Sequence, residues 1–165
     1  MLIFDGFSVK QVSVRRVINF PGGCKKFTIR FDPVTQRYIS LSNVLVVNNM
    51  LQEHLPIWQA FKLPSMKRRN SLALVSSKDL VTWSVNKVLL HKVQTEYGFQ
   101  YADFVISSGD ILAVLRTAIP AQGQHRDHSM AANRLTFHRI TNFRHYLENS
   151  VEFGRNTRPR LFLIF

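Results

Sequence analysis

Apolar residues in this chain fall into short alternating runs broken by turn residues, with almost nothing at the period of an amphipathic helix. Lys26-Phe27-Thr28-Ile29-Arg30-Phe31 alternates, Asp32-Pro33-Val34-Thr35-Gln36 supplies a turn, and Arg37-Tyr38-Ile39-Ser40-Leu41 alternates again, which predicts a β-hairpin. Ser71-Leu72-Ala73-Leu74-Val75-Ser76 leads through Ser77-Lys78-Asp79-Leu80-Val81-Thr82 into a strand over 83–89, with Asp79 expected to close the turn through its side chain. A third hairpin is expected between 100–106 and 111–117 across Ser107-Ser108-Gly109-Asp110, and 133–140 reads as a further strand. The expected fold class is therefore all-β, built from antiparallel hairpins.

Long connections separate these units. Residues 46–66 hold Pro56, Pro64 and Trp58, with a helical turn or two expected within 49–61, and 119–130 is polar and contains histidine. Long loops on a β scaffold commonly carry binding groups. Composition changes abruptly at Gly154, so the chain divides into a repeating domain over 1–153 and a C-terminal tail over 154–165.

Composition limits the function classes. With 165 residues, 45% of them hydrophobic, the chain suits one globular domain with a real core. Apolar runs such as 111–115 and 161–165 fall far short of the roughly 20 residues of a membrane span. The start of the chain carries Asp5 and lacks the early basic residues and long apolar middle of a signal peptide. Cys24 is the single cysteine, which removes disulfide scaffolds and paired-cysteine metal motifs. The formal charge of +12 raises nucleic acid as a partner. Outside Lys67-Arg68-Arg69, Arg15-Arg16 and Lys25-Lys26 the basic residues are scattered, however, so nucleic acid is not the expected partner. A small anion held by converging arginines fits the same charge.

A more specific likeness is carried by Phe20-Pro21-Gly22-Gly23, Lys26 to Asp32, Arg69-Asn70-Ser71 through Leu80, Gly98-Phe99-Gln100-Tyr101-Ala102-Asp103 and Leu135-Thr136-Phe137-His138-Arg139-Ile140. Over residues 20–144 the chain resembles the sialidase-like β-propeller glycoside hydrolases, the exo-α-sialidase superfamily. Ser77, Asp79, Thr82 and Trp83 are similar to the Asp-box hairpin of sialidase blades, although the usual glycine is absent and the spacing is one residue short. The resemblance implies an arc of about three blades, taking roughly 40 to 50 residues per blade, from a six-bladed or five-bladed propeller whose other blades lie upstream of Met1. It implies a carbohydrate partner bearing terminal sialic acid or a related sugar, hydrolysis of that sugar, no cofactor, and an extracytoplasmic or secreted setting. The early Phe-Arg-Ile-Pro arginine motif of sialidases is missing, which leaves the catalytic set incomplete.

Pairing counted outward from Ser108-Gly109 sets Tyr101 opposite Arg116 and Asp103 opposite Val114, so these side chains are expected on one face. Sialidases use tyrosine assisted by a carboxylate as nucleophile, and on that likeness Tyr101 and Asp103 are the candidate catalytic pair. Arg116 is the first candidate substrate contact, as a bidentate carboxylate binder; Arg69, Asn70 and His125 complete the substrate set. Blander alternatives stand beside each. Arg116 and Asp103 could form a plain cross-strand ion pair under Tyr101, Arg69 could belong to a solvated basic run, and Arg30 is expected to face either solvent, the default, or the central channel. His125, Asp127 and His128 could line an exposed loop, and without a third spaced partner they predict no metal site. Trp58 and Trp83 could stack on sugar or pack internally. Rival functions are a non-catalytic carbohydrate-binding module and a basic polyanion-binding surface.

Overall fold

The computed structural model describes residues 2–5, 8–12, 18–22, 25–47, 50–51, 68–120, 132–149 and 151–152. An N-terminal hairpin pairs β1 (Leu2–Asp5) with β2 (Ser8–Val12), an element the alternation pattern did not reveal. Then follow β3 (Ile29–Asp32), β4 (Arg37–Ser42), β5 (Val46–Val47), β6 (Met50–Leu51), β7 (Ser71–Ser77) and β8 (Trp83–His91). The chain continues through β9 (Gly98–Ser107), β10 (Asp110–Ala118), β11 (Arg134–Ile140), a 3-10 helix (Phe143–Asn149) and β12 (Val151–Glu152). The all-β class is borne out, and the three expected hairpins are β3–β4, β7–β8 and β9–β10. Within the stretch expected to be helical over 49–61, Met50 and Leu51 instead form β6 against β5; the rest of it lies outside the described residues, as does the tail over 154–165. No helix among the described residues is long and apolar enough to cross a membrane.

Two larger antiparallel sheets dominate, a five-stranded one in the order β12-β8-β7-β4-β3 and a three-stranded one in the order β11-β10-β9. Strand β7 lies inside the larger sheet and is buried along its whole length, which is why its apolar residues run consecutively rather than alternating. Ile39, Leu41, Leu72 and Leu74 pack with Ala102, Phe104, Ile111, Ala113 and Leu115 to form the core between the two sheets. Phe143 and Leu147 of the 3-10 helix close that core. A second cluster is formed by Phe20, Val44, Ala73, Val75, Val85 and Trp83. Trp83 meets Phe20 edge-on at 4.7 Å and is buried, so it packs internally and cannot stack on a sugar.

The turns carry the reasons for these pairings. Ser108 (φ 50°) and Gly109 (φ 88°) are both left-handed, the geometry of a two-residue type I′ hairpin that suits strand twist. In the β3–β4 turn, Thr35 donates to Asp32 Oδ2 at 2.8 Å. The fully buried Asp32 carboxylate is also gripped by Arg144, with Nε 2.9 Å from Oδ2 and Nη2 2.8 Å from Oδ1. That bidentate pair ties the first sheet to the 3-10 helix, and the Arg144 hydrogen bonds hold the carboxyl below its ordinary range.

Candidate functional site

The site is built at the start of β9, where the ladder slips. From Ser107 to Asp103 the pairing with β10 runs as counted from the turn, including Asp103 opposite Val114; beyond that point Arg116 faces Gln100. The expected Tyr101–Arg116 pair is therefore corrected: Tyr101 and Ala102 together oppose Leu115, which is a β-bulge. Tyr101 takes the left-handed conformation at the bulge (φ 50°), a position that costs a side-chain-bearing residue about 1–2 kcal/mol. Such strain is characteristically found where a side chain is being re-aimed.

The bulge presents the Tyr101 ring to three cations. Lys26 Nζ lies 5.2 Å, Arg116 Cζ 5.3 Å and Arg69 Cζ 6.0 Å from its centroid. Each reaches the ring from a different part of the chain. Lys26 sits on the approach to β3, Arg69 at a parallel bridge with Gly98 just before β7, and Arg116 on β10. Nε and Nη1 of Arg69 are buried, with no hydrogen-bond partner among the described residues. A buried guanidinium with unspent donors beside other cations is costly unless an anion completes it.

Asp103 does not pair with Arg116. Its Oδ1 is 3.1 Å from Nη2 of Arg30 and also accepts from Phe104 N at 2.9 Å. Arg30 further donates through Nε to the Phe104 carbonyl. Arg30 is exposed, as expected, and it also crosses from β3 to β9 and joins the edge strands of the two sheets. Because Arg30 already compensates Asp103, Lys26, Arg69 and Arg116 leave the Tyr101 cluster net positive.

Asn43, which alternation could not single out, positions this corner. Its buried Nδ2 donates to Phe99 O at 2.6 Å and Ser71 O at 2.7 Å, pinning the start of β7 to the start of β9. Gly22 (φ 69°) packs so closely that a Cβ there would lie 2.1 Å from Asn43 O. Asn70 is likewise spent on the backbone, with Nδ2 2.6 Å from Lys92 O. The structure thus brings together Tyr101, Arg116 and Arg69, sets Asp103 on Arg30, and gives Asn70 a bracing contact. His125, Asp127, His128, Cys24 and Trp58 lie outside the described residues. Lys26 and Asn43 were missed: Lys26 heads the alternating run as one polar position among several and falls before β3 itself, and Asn43 lies just past β4.

Away from the cluster, the expected side-chain closure by Asp79 is borne out. Oδ1 accepts from Val81 N (2.8 Å), Thr82 N (2.7 Å) and Ser77 Oγ (3.0 Å), and Oδ2 accepts from Thr82 Oγ1 (3.2 Å). The backbone N–H groups of Thr82 and Val81 pull the carboxyl down to about 2. Leu80 occupies the left-handed slot of this turn (φ 62°). Compared with known proteins, the chain matches no family model, no curated protein and no solved structure.

Proposed function

We propose that the Tyr101 cluster binds the carboxylate of a terminal acidic sugar, sialic acid or a close relative, within an arc of a β-propeller resembling the exo-α-sialidases. The observation that carries this reading is the buried, unpartnered Nε and Nη1 of Arg69 beside Lys26, Arg116 and the Tyr101 ring. Guanidinium groups take a carboxylate through paired N–H donors, and the aromatic ring offers a face for the sugar. The propeller reading is supported by the order of the strands. β3, β4, β7 and β8 neighbour one another in chain order, as do β9, β10 and β11, and the first strand of each set is a sheet edge. Blades of propellers are four-stranded sheets set around an axis; Arg30 joins those two first strands, where the axis would run.

A second reading, recognition without turnover, is favoured by the engagement of Asp103 Oδ1 with Arg30 and Phe104 N, which leaves this carboxylate less free to assist Tyr101. Titration calorimetry with free sialic acid and with its methyl ester, alongside turnover of a fluorogenic sialoside, separates the readings. The acid is expected to bind and the ester not, and Arg116→Ala is expected to weaken binding by about tenfold to a hundredfold, the worth of charge-assisted hydrogen bonds. In the hydrolytic version Tyr101→Phe abolishes turnover and spares binding; in the module version there is no turnover to lose. Equal affinity for acid and ester, or no binding of either, sinks the proposal.

A further inference from the structure

Between the inner face of β11 and the β7–β8 hairpin lies a cleft of about 230 Å³. Its apolar lining comes from Leu72 of β7, Leu89 and Leu90 of β8, Leu115 of β10, Ile140 of β11 and Tyr146 of the 3-10 helix. Consecutive strand residues ordinarily point to opposite faces, yet Leu89 and Leu90 both reach this cleft. The ladder explains it: Leu72 pairs with Leu90 and Ala73 with Val88, so Leu89 is the extra residue of a β-bulge that re-aims its side chain. Leu89, Leu90, Ile140 and Tyr146 pack against the core between the sheets but are only partly buried. A cavity of about 150 Å³ lined by such side chains takes up benzene, so this cleft has room for one ring with a short substituent.

The polar lining specifies what enters. Arg139 is engaged by Asp110 at 2.7 Å, Thr141 is neutral, and the nearby Lys87 lies over the Tyr146 ring at 5.6 Å. His138 pairs with Ala113 in the register and shares its inward face. Burial holds the imidazole below its ordinary value, so it is uncharged at neutral pH. A neutral imidazole has one donor and one acceptor nitrogen. Nε2 is taken by Thr136 Oγ1 at 2.9 Å, which meets Thr117 Oγ1 at 2.6 Å. Among the described residues Nδ1 is thus left over, as donor or as acceptor according to the direction of the threonine chain. A hydroxyl serves either case because it both donates and accepts, whereas a carboxylate serves only one and brings a charge that nothing in the cleft is left to balance. We propose that this cleft binds a small uncharged aromatic alcohol, with its ring against Leu72, Leu89 and Leu90 and its hydroxyl on His138 Nδ1. The proposal is independent of the sugar reading, since no residue of the Tyr101 cluster lines the cleft.

The test titrates the full chain with cresol, toluene and toluate, three probes of one shape that differ in a hydroxyl, nothing and a carboxylate, followed by the methyl resonances of the leucines. Saturable binding of cresol is expected, about fivefold tighter than toluene, the worth of one neutral hydrogen bond, with toluate weakest. His138→Phe is expected to bring cresol down to the affinity of toluene while toluene itself is unmoved. Leu89→Trp fills the cleft and is expected to abolish binding of both; Leu89 is partly exposed, so the fold tolerates the larger ring, which thermal melts verify. Should Leu89→Trp fail to fold, the cresol-to-toluene ratio in His138→Phe still decides. No binding of cresol, equal binding of cresol and toluene by the native chain, tighter binding of toluate, or a cresol-to-toluene ratio unchanged in His138→Phe overturns the proposal.

Discussion

The Ser77–Trp83 turn and the Tyr101 bulge both place a large side chain in the left-handed region, at Leu80 and at Tyr101, yet they use polar groups in opposite ways. In the turn, four donors from within a few residues converge on Asp79, and Trp83 Nε1 donates to Leu80 O at 3.2 Å. The charge is closed locally. At the bulge, cations from three separated stretches of chain converge on one ring, and two donors of Arg69 have no partner among the described residues. A satisfied motif holds the fold; an unsatisfied one, maintained at the cost of backbone strain, keeps donors that none of the described residues fills.

Substitutions can break or sharpen that contrast. The largest effect is expected at Asp32, another fully closed charge: Asp32→Ala leaves Arg144 without its bidentate partner and should cost about 3 kcal/mol in denaturant unfolding, the lower end for broken buried pairs. Next comes Asp79→Ala, expected to cost about 1–2 kcal/mol, comparable with loss of a good cap, with no change in ligand binding. The Asp79 contribution also has a pH signature. Its carboxyl sits at about 2 in the fold against an ordinary 3.8, so the stabilisation is complete above the ordinary value and lost as pH falls through the folded one. The stability gap between the native chain and Asp79→Asn should therefore close on acidification across that window, as followed by urea unfolding. Smaller, and opposite in sign, is Tyr101→Gly, expected to stabilise by about 1 kcal/mol by releasing the left-handed strain while abolishing anion binding. Leu80→Gly should stabilise by about 0.5 kcal/mol and leave binding intact. A Tyr101→Gly variant that is less stable than the native chain would mean the ring is a packing element, and the contrast would fail.

Strands were legible where a period or a turn residue announced them. Pro33 after Asp32, Gly109 after Ser108 and the alternation of Ile111, Ala113 and Leu115 with Leu112, Val114 and Arg116 each mark their element in one reading. The bulge had no such mark. Glycine is the residue that betrays a left-handed bulge, and here a tyrosine stands in its place, so counting from the turn carried the register one residue too far. The side chains around Tyr101 were half legible for a related reason. Arg116 and Asp103 lie on strands and follow from alternation, whereas Lys26 and Asn43 lie in irregular segments whose positions depend on how the sheets meet. The 3-10 helix escaped notice because Phe143 and Leu147 make a single apolar pair, too short to register as a period.

The Asp32–Arg144 pair also bears on how the chain reaches this structure. Its partners are 112 residues apart in sequence, so the β3–β4 hairpin can form early while its buried carboxylate cannot be neutralised until the final helix arrives. Closing a loop of that length is an entropic cost met late, and topologies dominated by such distant contacts fold slowly. During synthesis the first sheet would therefore wait, with a destabilising charge at its edge, for the stretch around Arg144 to emerge. The arginine acts as a latch on the order of assembly, and a nascent chain stopped before it would be expected to remain open to proteases and chaperones.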